Sequence, residues 1–190
     1  LVSPQLSAEE INFMPILYQD EFDALVKLSS DLFDCMRAAR IQFVVYGGAW
    51  LGTQRHRGLI PWDDDVDLEY EFNQTSLHLL KTRVHPEMKK LGYKINWNKR
   101  KKWRELGKWH VSIVKNGRKV FIGVEPWCER KDTVFFRCGL DGREPSLKSN
   151  LFFPLKWSIW HKTVVSVPYN ALAYWKMAGA GGLGGHTLVS

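Results

Sequence analysis

The chain has 190 residues, 45% of them hydrophobic, which is ordinary for a globular protein and enough for a buried core. Its 27 basic and 20 acidic residues give a net charge of +7, and it contains nine tryptophans. No apolar run reaches bilayer length and no signal peptide is recognisable, so these residues predict no transmembrane segment. We expect one domain over residues 1–178 and a disordered, glycine-rich tail over 179–190.

The first half of the chain carries helical patterns interrupted by a strand. Residues 20–40 place apolar side chains at helical spacing, and residues 42–46 are a β-branched and aromatic run typical of a buried strand. A short helix is predicted over 49–56. A longer helix is predicted over 75–91, where Pro86 is expected to kink or split it.

The second half is dominated by strand patterns, which lie over residues 93–97, 109–114, 119–124, 133–138 and 158–167. Asn116-Gly117 is typical of a tight hairpin turn between two of them. A hairpin is also expected between residues 155 and 167. Asn170 is a candidate cap for a last short helix. This order of elements predicts an α/β protein whose mixed β-sheet is flanked by helices.

The three cysteines show no spacing typical of a metal site. Cys35 falls on the apolar face of the first predicted helix, where we expect it to be buried. Cys128 and Cys138 would form a disulfide if the strands bring them together. The count leaves the redox compartment open.

Residues 63–72 alternate acidic and apolar side chains. In a β-strand this spacing places Asp63, Asp65 and Asp67 on one face, with Glu69 and Glu71 farther along it. Carboxylates held so close repel one another unless a cation is present, and Mg2+ or Mn2+ takes oxygen ligands. The pattern therefore indicates a metal site, and the alternative is an edge strand with a solvated acidic face.

A glycine pair stands between the strand at 42–46 and the short helix. Gly47 and Gly48 allow backbone N–H groups to approach an anion, and a helix N-terminus favours negative charge. Arg55 and His56 follow, before the acidic run. A phosphate-type turn, cations and carboxylates within one short stretch are the groups that phosphoryl transfer requires.

The segment from Tyr46 to Asp67, YGGAWLGTQRHRGLIPWDDDVD, resembles the signature of the LicD/fukutin family. The matching elements are the glycine pair, Leu-Gly, Arg-His, Gly, Pro-Trp-Asp and the final hydrophobic-Asp, and the resemblance extends over residues 20–175. It implies a nucleotidyltransferase-like fold. It also implies a Mg2+-dependent phosphotransferase that moves phosphocholine, ribitol phosphate or glycerol phosphate from a CDP-activated donor to a glycan hydroxyl.

The resemblance implies metal binding by Asp65 and Asp67, whose carboxylates share a strand face. Asp63 shares that face and is a third candidate ligand. Asp64 is expected to point away and to cap the turn. The resemblance implies that the metal ions held by these carboxylates would bridge the phosphates of the donor.

Further roles follow from the same resemblance. Gly47 and Gly48 would contact donor phosphate through their N–H groups, while Arg55 and His56 would bind phosphate or, alternatively, brace the turn. Glu125 is the candidate catalytic base.

One position departs from the family pattern. Gly123 stands where a later strand usually supplies a third carboxylate, and Glu125 shares its face two residues on. Glu125 would take over the role of that carboxylate if it reaches the site. Otherwise the chain would be a non-catalytic homologue that binds nucleotide or glycan.

A basic segment leaves a third interpretation open. Residues 81–119 contain fourteen Lys or Arg, densest at 99–104, where a tryptophan lies among them. Such a segment can bind nucleic acid, a nucleotide donor or an anionic glycan, but a solvated loop is the favoured interpretation and nucleic acid is the least favoured partner. The compartment stays open: the Golgi lumen for a eukaryotic chain with a missing anchor, the cytoplasm for a bacterial one.

Overall fold

A computed structural model describes residues 17–97, 107–136, 138 and 145–180. The helical elements of these residues are α1 (Gln19–Ala38), α2 (Gly47–Arg55), α3 (Gln74–Leu79), a π-helical turn (Leu80–Val84), α4 (His85–Lys90), α5 (Ser149–Phe152) and α6 (Ala171–Ala180). The strands are β1 (Phe43–Tyr46), β2 (Asp65–Glu71), β3 (Lys94–Trp97), β4 (Trp109–Lys115), β5 (Arg118–Arg130), β6 (Thr133–Phe136), β7 (Ser146–Lys148), β8 (Lys156–Trp160) and β9 (Thr163–Val167).

Seven strands form one mixed sheet in the order β1-β2-β5-β4-β3, with β6 and β7 continuing from the far end of β5. The β2–β5 pair is parallel and the other pairs are antiparallel. β5 runs well beyond the predicted 119–124, and its length lets it pair with β2, β4 and β6. The predicted α/β class with a mixed sheet is confirmed.

Helix α1 packs against β4 and β5 and covers one face of the sheet. Its apolar stripe is fully buried, which is what its helical spacing predicts: Leu25, Leu28, Leu32, Phe33 and Met36. Three tryptophans, Trp109, Trp127 and Trp160, are also buried. Part of the high tryptophan content therefore serves the core.

The helix predicted over 75–91 is interrupted. The π-helical turn separates α3 from α4, and Pro86 lies in the first turn of α4. Proline lacks a backbone N–H and is tolerated in a first turn, so the interruption falls immediately before it. The expected split is confirmed.

The hairpin expected between residues 155 and 167 is confirmed. β8 and β9 pair with each other and are joined through His161, whose φ is 52°. A non-glycine residue in this left-handed conformation is uncommon, so the sequence did not locate the turn itself. The Asn116-Gly117 turn and the Asn170 cap are also confirmed, since both turn residues have positive φ and Asn170 Oδ1 accepts from the Ala173 N–H at 2.9 Å.

Cys128 and Cys138 form a disulfide, as the sequence predicted for adjoining strands. Cys35 is half-buried rather than fully buried. Helix α6 extends two residues into the predicted tail, while 181–190 and the basic run 99–104 lie outside the described residues. None of the described helices has both the length and the apolar character that crossing a bilayer requires.

Candidate metal and phosphate site

The acidic strand β2 lies inside the sheet, with β1 on one side and β5 on the other. Its apolar face is completely buried: Val66, Leu68 and Tyr70 have no exposed surface. The alternative of a solvated edge strand is therefore wrong. The opposite face presents Asp65 and Asp67 from a backbone that is hydrogen-bonded on both sides, so these carboxylates are held in place.

The glycine pair brings the start of α2 directly against this acidic face. Gly47 has a φ of +60°, and a Cβ placed there would lie 3.3 Å from Asp67 Oδ2. A Cβ at Gly48 would overlap Asp63 Oδ2. Side chains at either position would displace a carboxylate, so the close approach of helix and strand depends on glycine.

Three consecutive carboxylates converge beside the helix. Oxygen atoms of Asp63, Asp64 and Asp65 lie within 4.8 Å of one another, and Asp64 also accepts from Arg118 Nη2 at 2.8 Å. Asp64 was expected to point away. The strand begins only at Asp65, so two-residue alternation does not govern the orientation of the residues before it.

Asp67 follows Asp65 on the same face of β2 and is more deeply buried. It lies between Gly47 on one side and Gly123 on the other. A Cβ at Gly123 would lie 2.7 Å from Asp67 Oδ1, and the two residues face each other in the β2–β5 register. Burial raises the pKa of Asp67 to about 7, and the negative charges of Asp65 and Glu125 add to the rise. Burial likewise raises the pKa of Asp65. The fold thus holds these carboxylates close together in a buried position, and their ionised forms are disfavoured as a result.

Glu125 belongs to the same face and is nearly buried, with 7% of its side chain exposed. It forms an ion pair with Lys108, and both charges act on the pKa of Asp67, Glu125 raising it and Lys108 lowering it. In the register Glu125 lies opposite Glu69, two pairs beyond Asp67 and Gly123 and therefore on the same face. Glu125 is thus placed to act near Asp67 despite the missing side chain at position 123.

Two neighbours of the site are fully buried. Glu69, farther along β2 than Asp67, has no exposed surface. Tyr174 on α6 is also fully buried, and burial together with the charge of Glu69 raises the pKa of its hydroxyl. The inner end of the acidic face is therefore closed to water.

Arg55 and His56 are at the other end of α2 from the glycine pair, and both are exposed. A nine-residue helix is roughly 13 Å long, so the backbone does not bring these residues to Gly47. The His56 ring packs edge-on against Trp62 at 5.5 Å, and Trp62 directly precedes Asp63. His56 is thus linked to the acidic cluster through the returning loop, which fits the bracing role.

The carboxylates have the composition that a hard divalent cation requires. Asp63, Asp65 and Asp67 offer only oxygen ligands, and they lie close enough to disfavour one another's ionisation. A cation would remove that penalty, so the residues fit Mg2+ or Mn2+.

Sequence reasoning missed Lys108 and Arg118. Lys108 immediately precedes β4 and Arg118 begins β5, and they meet Glu125 and Asp64 only because β5 pairs with β4 on one edge and β2 on the other. The Asn-Gly turn at 116–117 predicted the hairpin but not which strand lies next to it. Pairing between strands distant in sequence was the missing information.

Known proteins resemble this chain over the segment that contains these residues. Residues 40–170 match the family described as LicD/FKTN/FKRP, nucleotidyltransferase domain. An uncharacterized protein of Rickettsia typhi is 33% identical over 76 residues, and one of Rickettsia prowazekii is 29% identical over 76 residues. Each alignment covers 40% of this chain but only 24% and 27%, respectively, of the relatives. Because the family match spans most of the chain and contains the glycine pair and the acidic strand, the chain belongs to the LicD/FKTN/FKRP family of nucleotidyltransferase domains.

Proposed function

We propose that this domain is a Mg2+- or Mn2+-dependent phosphotransferase that moves a phosphoalcohol from a CDP-activated donor to a glycan hydroxyl. Phosphocholine, ribitol phosphate and glycerol phosphate are the candidate groups. Family membership indicates phosphotransferase-type modification of glycans. The observation that supports the finer proposal is the contact between the start of α2, at Gly47 and Gly48, and the carboxylates of Asp63 and Asp67.

Asp65 and Asp67, with Asp63 beside them, are the residues that would hold the ion. Asp64 is less suitable, because its carboxylate is already paired with Arg118. A bound divalent ion neutralises donor phosphate charge and polarises the phosphoryl oxygens.

The backbone at the start of α2 supplies the complementary anion site. The N–H groups of the first helical turn have no partner within the helix, and the helix dipole favours negative charge there. Donor phosphate placed at Gly47 and Gly48 would meet these groups on one side and the metal ligands on the other. This arrangement would orient the diphosphate for displacement.

Glu125 is the proposed acceptor of the proton from the attacking hydroxyl. The glycan oxygen forms a bond to the phosphorus that carries the alcohol, the bond from that phosphorus to the bridging oxygen breaks, and CMP leaves. The ion pair with Lys108 balances the negative charge of Glu125 and holds its carboxylate in position before the reaction. The proton released by the hydroxyl goes to the Glu125 carboxylate.

Binding without turnover is the second candidate function, and Gly123 is the observation that favours it. This residue faces Asp67 in the sheet and supplies no carboxylate where the family pattern has one. The electrostatic coupling of Glu125 to Asp67 argues for the catalytic proposal instead.

Release of CMP from CDP-choline, CDP-ribitol and CDP-glycerol in the presence of glycan acceptors tests the proposal. We expect metal-dependent turnover that is lost in Asp65→Asn and Asp67→Asn and strongly reduced in Glu125→Gln. Asp23→Asn, an exposed carboxylate on α1, is the matched control and should retain full activity. Near-normal turnover in either β2 variant would contradict the proposal, and saturable donor binding without product under either metal would favour the second candidate.

A further inference from the structure

We propose that the β8–β9 hairpin docks onto an anionic membrane surface through the face that bears Trp157, Ile159, Val164 and Ser166, called the hairpin face below. This inference is independent of the proposed chemistry. It rests on the exposure of three large apolar side chains together and on the charge around them.

The hairpin face is uncovered by the described residues. Trp157 is 76% exposed, Ile159 46% and Val164 52%. Cross-strand pairing places Ile159 opposite Val164 and Trp157 opposite Ser166, so the apolar side chains form one continuous surface. Isolated exposed apolar residues are common, whereas a contiguous set on a flat ribbon marks an interaction surface.

The opposite face of the same hairpin accounts for its stability. Trp160 and Val165 are fully buried there, and the Trp160 ring packs edge-on against Phe33 of α1 at 6.3 Å. Arg37 Nη1 also donates to the Val164 carbonyl oxygen at 2.7 Å, which fastens the hairpin to α1. The hairpin face is therefore presented on a rigid support and does not contribute to the core.

The surroundings of the hairpin face carry positive charge. Arg40, which lines a cavity together with Trp157, and Lys162 at the turn are exposed and have no ion-pair partner among the described residues. Residues 145–190 include four lysines and no aspartate or glutamate. Near the patch Asp34 is neutralised by Arg37 at 2.5 Å. Among the described residues an anionic surface would therefore meet mainly cations at this face.

A cavity of about 460 Å³ opens beside Trp157, and Arg37 and Arg40 lie at its rim above a floor that includes Ile41 and Phe43. Tryptophan prefers the boundary between lipid headgroups and acyl chains, and arginine binds phosphate. The combination of an aromatic side chain, aliphatic neighbours and guanidinium groups matches the chemistry of a phospholipid headgroup region.

Docking by this face would also hold the metal site near the membrane. Gln54 Nε2, at the end of α2, donates to Ser158 Oγ at 3.5 Å, and the Leu59 N–H donates to His161 Nε2 at 3.1 Å. The hairpin is thus attached to the end of the helix whose other end carries Gly47. A helix of this length places the two ends roughly 13 Å apart.

Co-sedimentation with vesicles tests the inference. Phosphatidylcholine vesicles with and without phosphatidylglycerol are the probes, and we expect binding to the anionic vesicles that weakens with added salt. Trp157→Ala should weaken binding about tenfold, because a buried apolar side chain contributes about 1.5 kcal/mol or more. Arg40→Gln and Lys162→Gln should each weaken it about fivefold. These side chains are exposed, so the variants should keep the wild-type melting temperature.

Val114→Ser and Lys115→Gln are matched controls, since both residues are exposed on β4, away from the hairpin. They should bind vesicles as the wild type does. The inference is overturned if the wild type binds neither kind of vesicle, if it binds neutral vesicles equally well, or if Trp157→Ala has no effect. It is also overturned if Trp157 instead proves necessary for binding a soluble glycan or a second copy of the chain.

Discussion

Replacement of Asp67 by asparagine should stabilise the metal-free protein while removing its proposed function. The pKa of Asp67 rises from its ordinary value of 3.8 to about 7 in the folded protein, because burial and nearby carboxylates oppose its ionisation. Between these values the folded state holds a proton that the unfolded state has released. Stability therefore falls as pH rises through this window, and the loss is complete above about pH 7.

The size of the effect follows from the shift. Roughly three pKa units correspond to about 4 kcal/mol between the protonated and ionised forms. Asparagine carries no charge but keeps polar atoms that need partners, so the expected gain for Asp67→Asn at pH 8 is about 2–4 kcal/mol. At pH 5 the folded carboxyl is protonated while the unfolded one is still ionised, so the gain should be smaller than at pH 8 by about 2.7 kcal/mol.

Urea denaturation in the presence of a chelator, at pH 5 and pH 8, measures this difference in the free energy of unfolding. Asp64→Asn is the matched control, because Asp64 is half-exposed and paired with Arg118, and we expect a change of about 0.5 kcal/mol or less. Excess Mg2+ should stabilise the wild type and not Asp67→Asn. The reasoning is refuted if Asp67→Asn is no more stable than the wild type at pH 8, or if its gain is the same at both pH values.

Three further outcomes are expected. Gly48→Ala should abolish metal-dependent nucleotide binding in calorimetry, because the new Cβ would overlap Asp63 Oδ2. The circular dichroism spectrum should be unchanged. Unchanged affinity would contradict the close contact between Gly48 and Asp63. Burial lowers the pKa of His85 from 6.5 to about 4. The unfolded state therefore binds a proton first as pH falls, and the free energy of unfolding should decrease between pH 6.5 and pH 4 by about 3 kcal/mol in total. Urea titrations across that range should show this dependence abolished in His85→Gln, and equal slopes in both proteins would count against it. Reduction of the Cys128–Cys138 disulfide, whose cysteines are 10 residues apart, should lower the free energy of unfolding by about 2.7 kcal/mol, and Cys138→Ser should make the protein insensitive to reductant.

The parts of the site that sequence reasoning predicted are those set by local rules. Alternation along 65–71 determined which carboxylates share a face, and the glycine pair indicated where a helix would begin. Both depend on residues only a few positions apart. Turn and cap chemistry at Asn116-Gly117 and Asn170 succeeded for the same reason.

The parts that escaped prediction depend on contacts between distant segments. Lys108 reaches Glu125 only through the pairing of β4 with β5, and the burial of Glu69 requires α6 to close over the end of β2. The hairpin between residues 155 and 167 was expected, but its turn at His161 was not located, because the left-handed position has no glycine or asparagine to indicate it. Tertiary packing supplies these features.

Calorimetric titration of CDP-choline, CDP-ribitol and CDP into the protein, each with and without Mg2+, tests the central claim most directly. The claim predicts binding that requires the metal and that is lost in Asp65→Asn but retained in Asp23→Asn. Absence of binding for all three nucleotides, or equal binding without metal and in Asp65→Asn, would contradict a nucleotide-donor site at the acidic strand.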